Sequence, residues 1–211
     1  MTIQAVIWDI GGVLTTSPVQ SIRRFEVDAG LPDGALRPLL ASHEGAWSRF
    51  EKSELTPADF MKAFEAEALE LGHTIDGAAF LAAFFGALVV RDDYVRAVRF
   101  LRGKVTTGAI TNNIAREDPR APHSGPLAIE ELFDVVIESS KVGVRKPDPR
   151  IYHLACEELG VTPDEAAFLD DFGVNLKAAR ALGMTTIKVD ETDSALRELE
   201  KVLGLEFPPP Q

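Results

Sequence analysis

Asp9, the pair Thr111 and Asn112, Lys146, and the adjacent acids Asp170 and Asp171 are the residues with chemistry to offer in this 211-residue sequence. Each closes or follows a short apolar run, which is where open parallel sheets bind their ligands. Acids that converge on one mouth repel each other unless a cation joins them. Oxygen-only ligands suit Mg²⁺, which demands octahedral geometry and keeps several waters. Carboxylates, a hard cation, a hydroxyl and a lysine together fit phosphoryl transfer. The metal and lysine neutralise phosphate oxygens while a carboxylate attacks in line. Aspartate is a competent nucleophile there and forms an aspartyl-phosphate. Taken singly, each residue has a plainer reading. An Asp after a strand is a turn or cap residue, a lone lysine is a solvated charge, and Thr111 is strand filler. The ordered set on successive strand–helix units is what favours chemistry.

The elements that must position this set are short β-branched runs at 5–8, 105–110, 135–137, 168–169 and 185–189. Each is followed by Gly, Asn, Asp or Pro signals. Helical patterns at 150–159, 176–182 and 192–203 alternate with the later runs. Strands alternating with helices predict an α/β fold, a doubly wound parallel sheet with right-handed crossovers. Between the first and second runs the pattern is almost wholly helical. Thr56 is a good N-cap and Pro57 fits the first helical position before 60–71, and 90–102 forms another amphipathic helix. The expected organisation is a core of residues 1–17 and 103–211 with a helical cap of residues 18–102 inserted into it. Residues 113–127 read as a surface loop and 207–211 as a frayed tail.

Composition narrows the partners. The net charge of −11 repels nucleic acid and anionic membrane at long range, yet local cations can still hold a small anion. The longest apolar run, residues 80–90, is too short to span a bilayer, so no membrane insertion is expected. One cysteine, Cys156, excludes an internal disulfide framework and sets a reducing, cytoplasmic location as the expectation. The N-terminus lacks the basic start and long apolar stretch of a secretory signal. The four histidines show no zinc-site spacing.

With these residues in hand, the sequence resembles the haloacid dehalogenase superfamily. Ile7-Trp8-Asp9-Ile10-Gly11-Gly12-Val13-Leu14 is similar to its first motif, and Ile110-Thr111-Asn112-Asn113 to its second. Val142-Gly143-Val144-Arg145-Lys146-Pro147-Asp148-Pro149 resembles the third, and Phe168 to Lys177 with Leu182-Gly183-Met184 the fourth. Residues 133–205 look closest to the N-terminal phosphatase domain of soluble epoxide hydrolase and the related domain of acyl-CoA dehydrogenase fusions. The resemblance implies a Rossmann-like core, Mg²⁺ as cofactor and a small phosphorylated substrate. It implies Asp9 as nucleophile, and Asp9, the carbonyl of Gly11 and Asp171 as metal ligands, with Asp170 helping directly or through water. Thr111, Asn112 and Lys146 would hold the phosphate, and Lys146 would also quiet repulsion among the acids. Asn175 either ties the loop of the fourth motif or caps a helix.

One position departs from that pattern. The usual phosphatase carries a second aspartate two residues after the nucleophile, which protonates the leaving oxygen and then activates water. Here that position is Gly11. General acid–base help is worth roughly 10² to 10⁴ in rate. Either the enzyme is slow, or a cap residue such as His43 or Glu44 substitutes, or the site binds phosphate without turnover. A metal-independent 2-haloacid dehalogenase also lacks the second acid, but the adjacent Asp170 and Asp171 argue for a metal. In the cap, Trp47, Phe50, Phe60, Met61, Phe64, Phe80, Phe84 and Phe85 either pack the helices together or partly line an apolar pocket. Arg23, Arg24 and Arg49 sit on helix faces and either meet solvent or greet an anion.

Overall fold

A computed structural model describes residues 2–86, 88–114, 128–190 and 194–208. Five strands, β1 (Ala5–Trp8), β2 (Thr106–Thr111), β3 (Val135–Glu138), β4 (Ala166–Asp170) and β5 (Thr185–Lys188), form one sheet in the order β3-β2-β1-β4-β5. All four pairings are parallel. The runs are almost uniformly apolar because helices cover both faces. On one face Val6, Trp8, Ala109, Leu169 and Ile187 pack together. On the other, Ala5, Ile7, Ile110, Ile137 and Phe168 do so.

The chain leaves β1 and builds the cap from α1 (Pro18–Asp28), α2 (Arg37–Ala41), α3 (Ala46–Glu51), α4 (Pro57–Glu70) and α5 (Gly77–Gly86). Ser17 and Thr56 cap α1 and α4, each with a proline in the first turn. The cap has its own core, in which Trp47 meets Phe60, Phe80 and Phe84 edge-on or tilted, Phe64 meets Phe80 tilted, and Phe50 and Phe64 stack on Phe60. Packing the cap is thus what most of its aromatics do, while Phe85 lies 44% exposed.

Helix α6 (Asp92–Leu101) lies at the end of the stretch 18–102 that the sequence reading assigns to the cap. Its Tyr94, Val95, Val98 and Leu101 join Val6 and Trp8 in the core beneath the sheet, apart from the cap cluster. An amphipathic pattern fixes which face of a helix is apolar but not which layer receives it. The two strands of chain joining cap and core run side by side. Thr15 bridges Val90, Thr16 N–H donates to the Val89 carbonyl at 2.8 Å, and Arg91 N–H donates to the Leu14 carbonyl at 2.8 Å.

After β2 come α7 (Ile129–Leu132), α8 (Ser139–Val142) and α9 (Pro149–Leu159), and α10 (Gly173–Ala181) and α11 (Ser194–Leu203) complete the core. The loop expected at 113–127 lies outside the described residues from 115 onward, as do 209–211 of the expected tail. Phe207 is no frayed end: its ring meets Phe100 edge-on and its N–H donates to Glu200 at 2.7 Å. Among the described residues, no helix is long and apolar enough to cross a membrane.

Candidate active site

Parallel register puts the reactive groups side by side. Trp8 is level with Ala109 on one neighbour and Leu169 on the other, so Asp9, Ile110 and Asp170 emerge together at the carboxyl ends of three adjacent strands. Lys146 spans all three. Its ammonium donates to Asp9 Oδ1 at 2.7 Å, to Asp170 Oδ2 at 2.9 Å and to the Ile110 carbonyl at 2.9 Å. These three bonds satisfy its three protons, which is how a lysine side chain only 1% exposed retains its charge. The acids Asp170 and Asp9 outweigh the burial that opposes its charge, and its pKa rises.

Lys146 reaches this point because α8 ends at Gly143 in the left-handed conformation (φ 67°), turning the chain back toward the sheet. Asn112 then clamps it: its amide donates to the Lys146 carbonyl at 3.0 Å and accepts from the Lys146 N–H at 2.8 Å. The side chain of Asn112 is therefore occupied in fixing the lysine. Thr111 lies beside it at the end of β2, buried.

Asp170 is fully buried and held on both oxygens. Oδ1 accepts from Phe172 N–H at 2.7 Å, Oδ2 accepts from Lys146, and Asn175 donates to both at 3.1 and 3.0 Å. Asn175 thus ties the loop of the fourth motif. Asp171 is placed differently. Its Oδ2 accepts the Ser17 hydroxyl at 2.9 Å, while its Oδ1 is buried without a hydrogen-bond partner. Gly12 makes room for this carboxyl: a Cβ there would lie 2.1 Å from Asp171 Oδ2, and its φ of +82° also suits glycine.

The Asp9, Asp170 and Asp171 carboxylates offer oxygens all within 4.8 Å of one another. Burial pushes the Asp9 carboxyl well above its ordinary range; Lys146 pulls it down, and Asp170 and Asp171 push it further up. Asp171 is raised to about 6, by burial first and then by Asp170. Three clustered carboxylates face two lysines, Lys146 and, beside Asp171, Lys188, which leaves a negative excess. An orphaned buried carboxylate oxygen beside that negative excess fits a hard divalent cation.

Of the sequence-derived set, Asp9, Lys146, Asp170 and Asp171 meet in space, with Asn112 held on the Lys146 backbone. Ser17 and Gly12 were missed as members. Ser17 precedes a proline and reads as an ordinary helix cap, which it also is, and nothing local signals its contact with an acid 154 residues away. The proposed substitutes for the absent acid, His43 and Glu44, are both exposed. Arg24 pairs with Asp28 at 3.0 Å, and Arg23 and Arg49 lie near Asp33 and Glu54 on exposed faces.

Residues 3–183 match the family model of haloacid dehalogenase-like hydrolases. Over 95% of its length the chain is 37% identical to acyl-CoA dehydrogenase family member 10 of Mus musculus, covering 19% of that protein. Over 99% of its length it is 32% identical to bifunctional epoxide hydrolase 2 of the same species, covering 40% of it. The chain thus spans well under half the length of these relatives. A phosphatase of Mycobacterium tuberculosis is 29% identical, with 96% of each chain covered. Among solved structures, a haloacid dehalogenase-like hydrolase from Porphyromonas gingivalis superposes with a TM-score of 0.73 at 21% identity, covering 98% of this chain and 100% of its own. By the family match and by the strand order and motif placement described above, the chain belongs to the haloacid dehalogenase-like hydrolases.

Proposed function

We propose that the protein is a Mg²⁺-dependent phosphatase that cleaves small phosphomonoesters through an aspartyl-phosphate on Asp9. The observation that carries this reading is the buried Lys146 ammonium bridging Asp9 and Asp170, beside an acid with an unpartnered buried oxygen. Asp9 Oδ1 is held by the Ile10 N–H at 2.7 Å and by Lys146, which leaves the second oxygen to attack phosphorus. A bond forms from Asp9 to phosphorus as the bond to the leaving oxygen breaks. Water then attacks the aspartyl-phosphate, freeing inorganic phosphate and restoring Asp9. In this reading Thr111 and the Asn112 backbone hold the transferring group, and Lys146 balances charge on it. Asp9, the Gly11 carbonyl and Asp171 would hold magnesium, which would supply positive charge to neutralise phosphate oxygens. Asp170 supports that site by fixing Lys146 and Asn175.

Gly11 cannot protonate the leaving oxygen, so turnover is slow or favours esters whose leaving group needs no proton. The same glycine favours a second reading, a phosphate-binding module without turnover. Dehalogenation without metal accounts for Asp9 but leaves the paired acids without a task. Release of nitrophenol from p-nitrophenyl phosphate with and without Mg²⁺ tests the proposal. Metal-dependent release supports it. Tight binding of phosphate with no release selects the second reading.

A further inference from the structure

Besides the paired strands at residues 14–16 and 89–91, the cap meets the core at a second junction, between α3 and α8. Three contacts cross it. The Ser139 hydroxyl donates to the Glu51 carbonyl at 2.7 Å, the Ser53 hydroxyl donates to the Ser140 carbonyl at 2.8 Å, and the Glu51 carboxylate lies 2.8 Å from Arg145 Nε. Ser53 sits at φ 60°, the non-glycine position with positive φ among the described residues, so an unfavourable backbone is held at this contact. The Glu51–Arg145 contact is coulombic: the atoms are close but not aligned, and neither makes a hydrogen bond. Both side chains are largely covered, at 7% and 17% exposure.

The junction grips the segments that carry the phosphate-binding residues. Ser139 Oγ accepts the Asn113 N–H at 3.0 Å, directly after Asn112, and Arg145 directly precedes Lys146. We propose that Glu51 and Arg145 form a charge-paired clasp through which the seated cap holds the Lys146 segment in place, making both of them positioning residues. The inference rests on the reading of Lys146 given above. Burial pushes the Glu51 carboxyl up to about 7, against the pull of Arg145 first and of Lys146 second. Arg145 is thus the main charge that keeps this acid tolerable under the cap, and Lys146 alone is a weaker substitute. Removing Arg145 strands a buried carboxylate, whereas neutralising both partners leaves nothing to compensate.

The test compares wild type, Arg145→Met and the double variant Glu51→Gln/Arg145→Met under one set of conditions. Hydrogen exchange without substrate reads the junction. In Arg145→Met, exchange over 46–51 and 139–142 should quicken roughly tenfold while β1 and β4 stay protected. With Mg²⁺, kcat/KM for p-nitrophenyl phosphate should fall roughly tenfold and inhibition by inorganic phosphate should weaken alike. The double variant should regain most of all three. Unchanged exchange in Arg145→Met, or a double variant no better than the single, overturns the clasp. If Arg145→Met does not fold, near-native exchange at both segments in the double variant supports the clasp and fast exchange overturns it. A wild-type protein that releases no phosphate overturns the phosphatase reading, and the exchange arm still decides the clasp.

Discussion

At Gly11 an added Cβ would meet nothing nearer than Pro18 Cδ at 3.9 Å, and the backbone there is open to any residue. Sterically, an aspartate can occupy the place where the family's proton donor stands. Gly11→Asp should therefore raise turnover, by up to about 10². The gain should be larger for alkyl than for aryl phosphates, because an alkoxide needs the proton more. Steady-state rates on the two ester classes check this; equal gains would show that proton donation is not what Gly11 lacks. At Asp9 the expectation is the reverse. Asp9→Asn keeps the shape and removes the nucleophile, so turnover should drop by at least about 10⁴ with the circular dichroism spectrum unchanged. Retention of most activity would remove Asp9 from the role of nucleophile.

Elements were legible where apolar runs are uninterrupted and less so at their ends. Strand β4 extends over Ala166–Asp170, beyond the 168–169 run. Alanine carries little strand preference and Asp170 is charged, so only the pairings with β1 and β5 reveal the full strand. Helix α10 likewise starts at Gly173, before its apolar repeat begins. In the cap, α1 is joined to the following loop by Glu26, a fully covered acid that accepts from Gly34 N–H at 2.9 Å and Leu36 N–H at 2.8 Å. Removing it strands two backbone donors. Glu26→Ala should cost about 2–4 kcal/mol by chemical denaturation. Unfolding of the cap before the sheet in that variant would show the two layers to be separable. A cost below about 1 kcal/mol would mean that water replaces the carboxylate.

For the whole molecule, three acids facing two lysines, Lys146 and Lys188, leave a negative excess at the sheet mouth. A divalent cation that binds only the folded chain should raise its stability by about 2.7 kcal/mol at a hundredfold excess over Kd. Thermal melts should therefore rise by several degrees with Mg²⁺. Asp171→Asn should erase that gain, since it removes the carboxylate charge beside the unpartnered oxygen. A Mg²⁺ shift that survives Asp171→Asn would place the ion elsewhere. The sequence by itself determined the α/β class and pointed to Asp9, Thr111, Asn112, Lys146, Asp170 and Asp171 as the set to watch. Those signals are local, because periodicity and strand-end residues are written within a few positions of each other. Only the tertiary structure decided which side chains meet: Asn112 on the Lys146 backbone, Ser17 on Asp171, Glu51 against Arg145, and α6 under the sheet. Such pairings join residues tens to more than a hundred positions apart, and their geometry arises from parallel register and helix packing, which no short window of sequence contains.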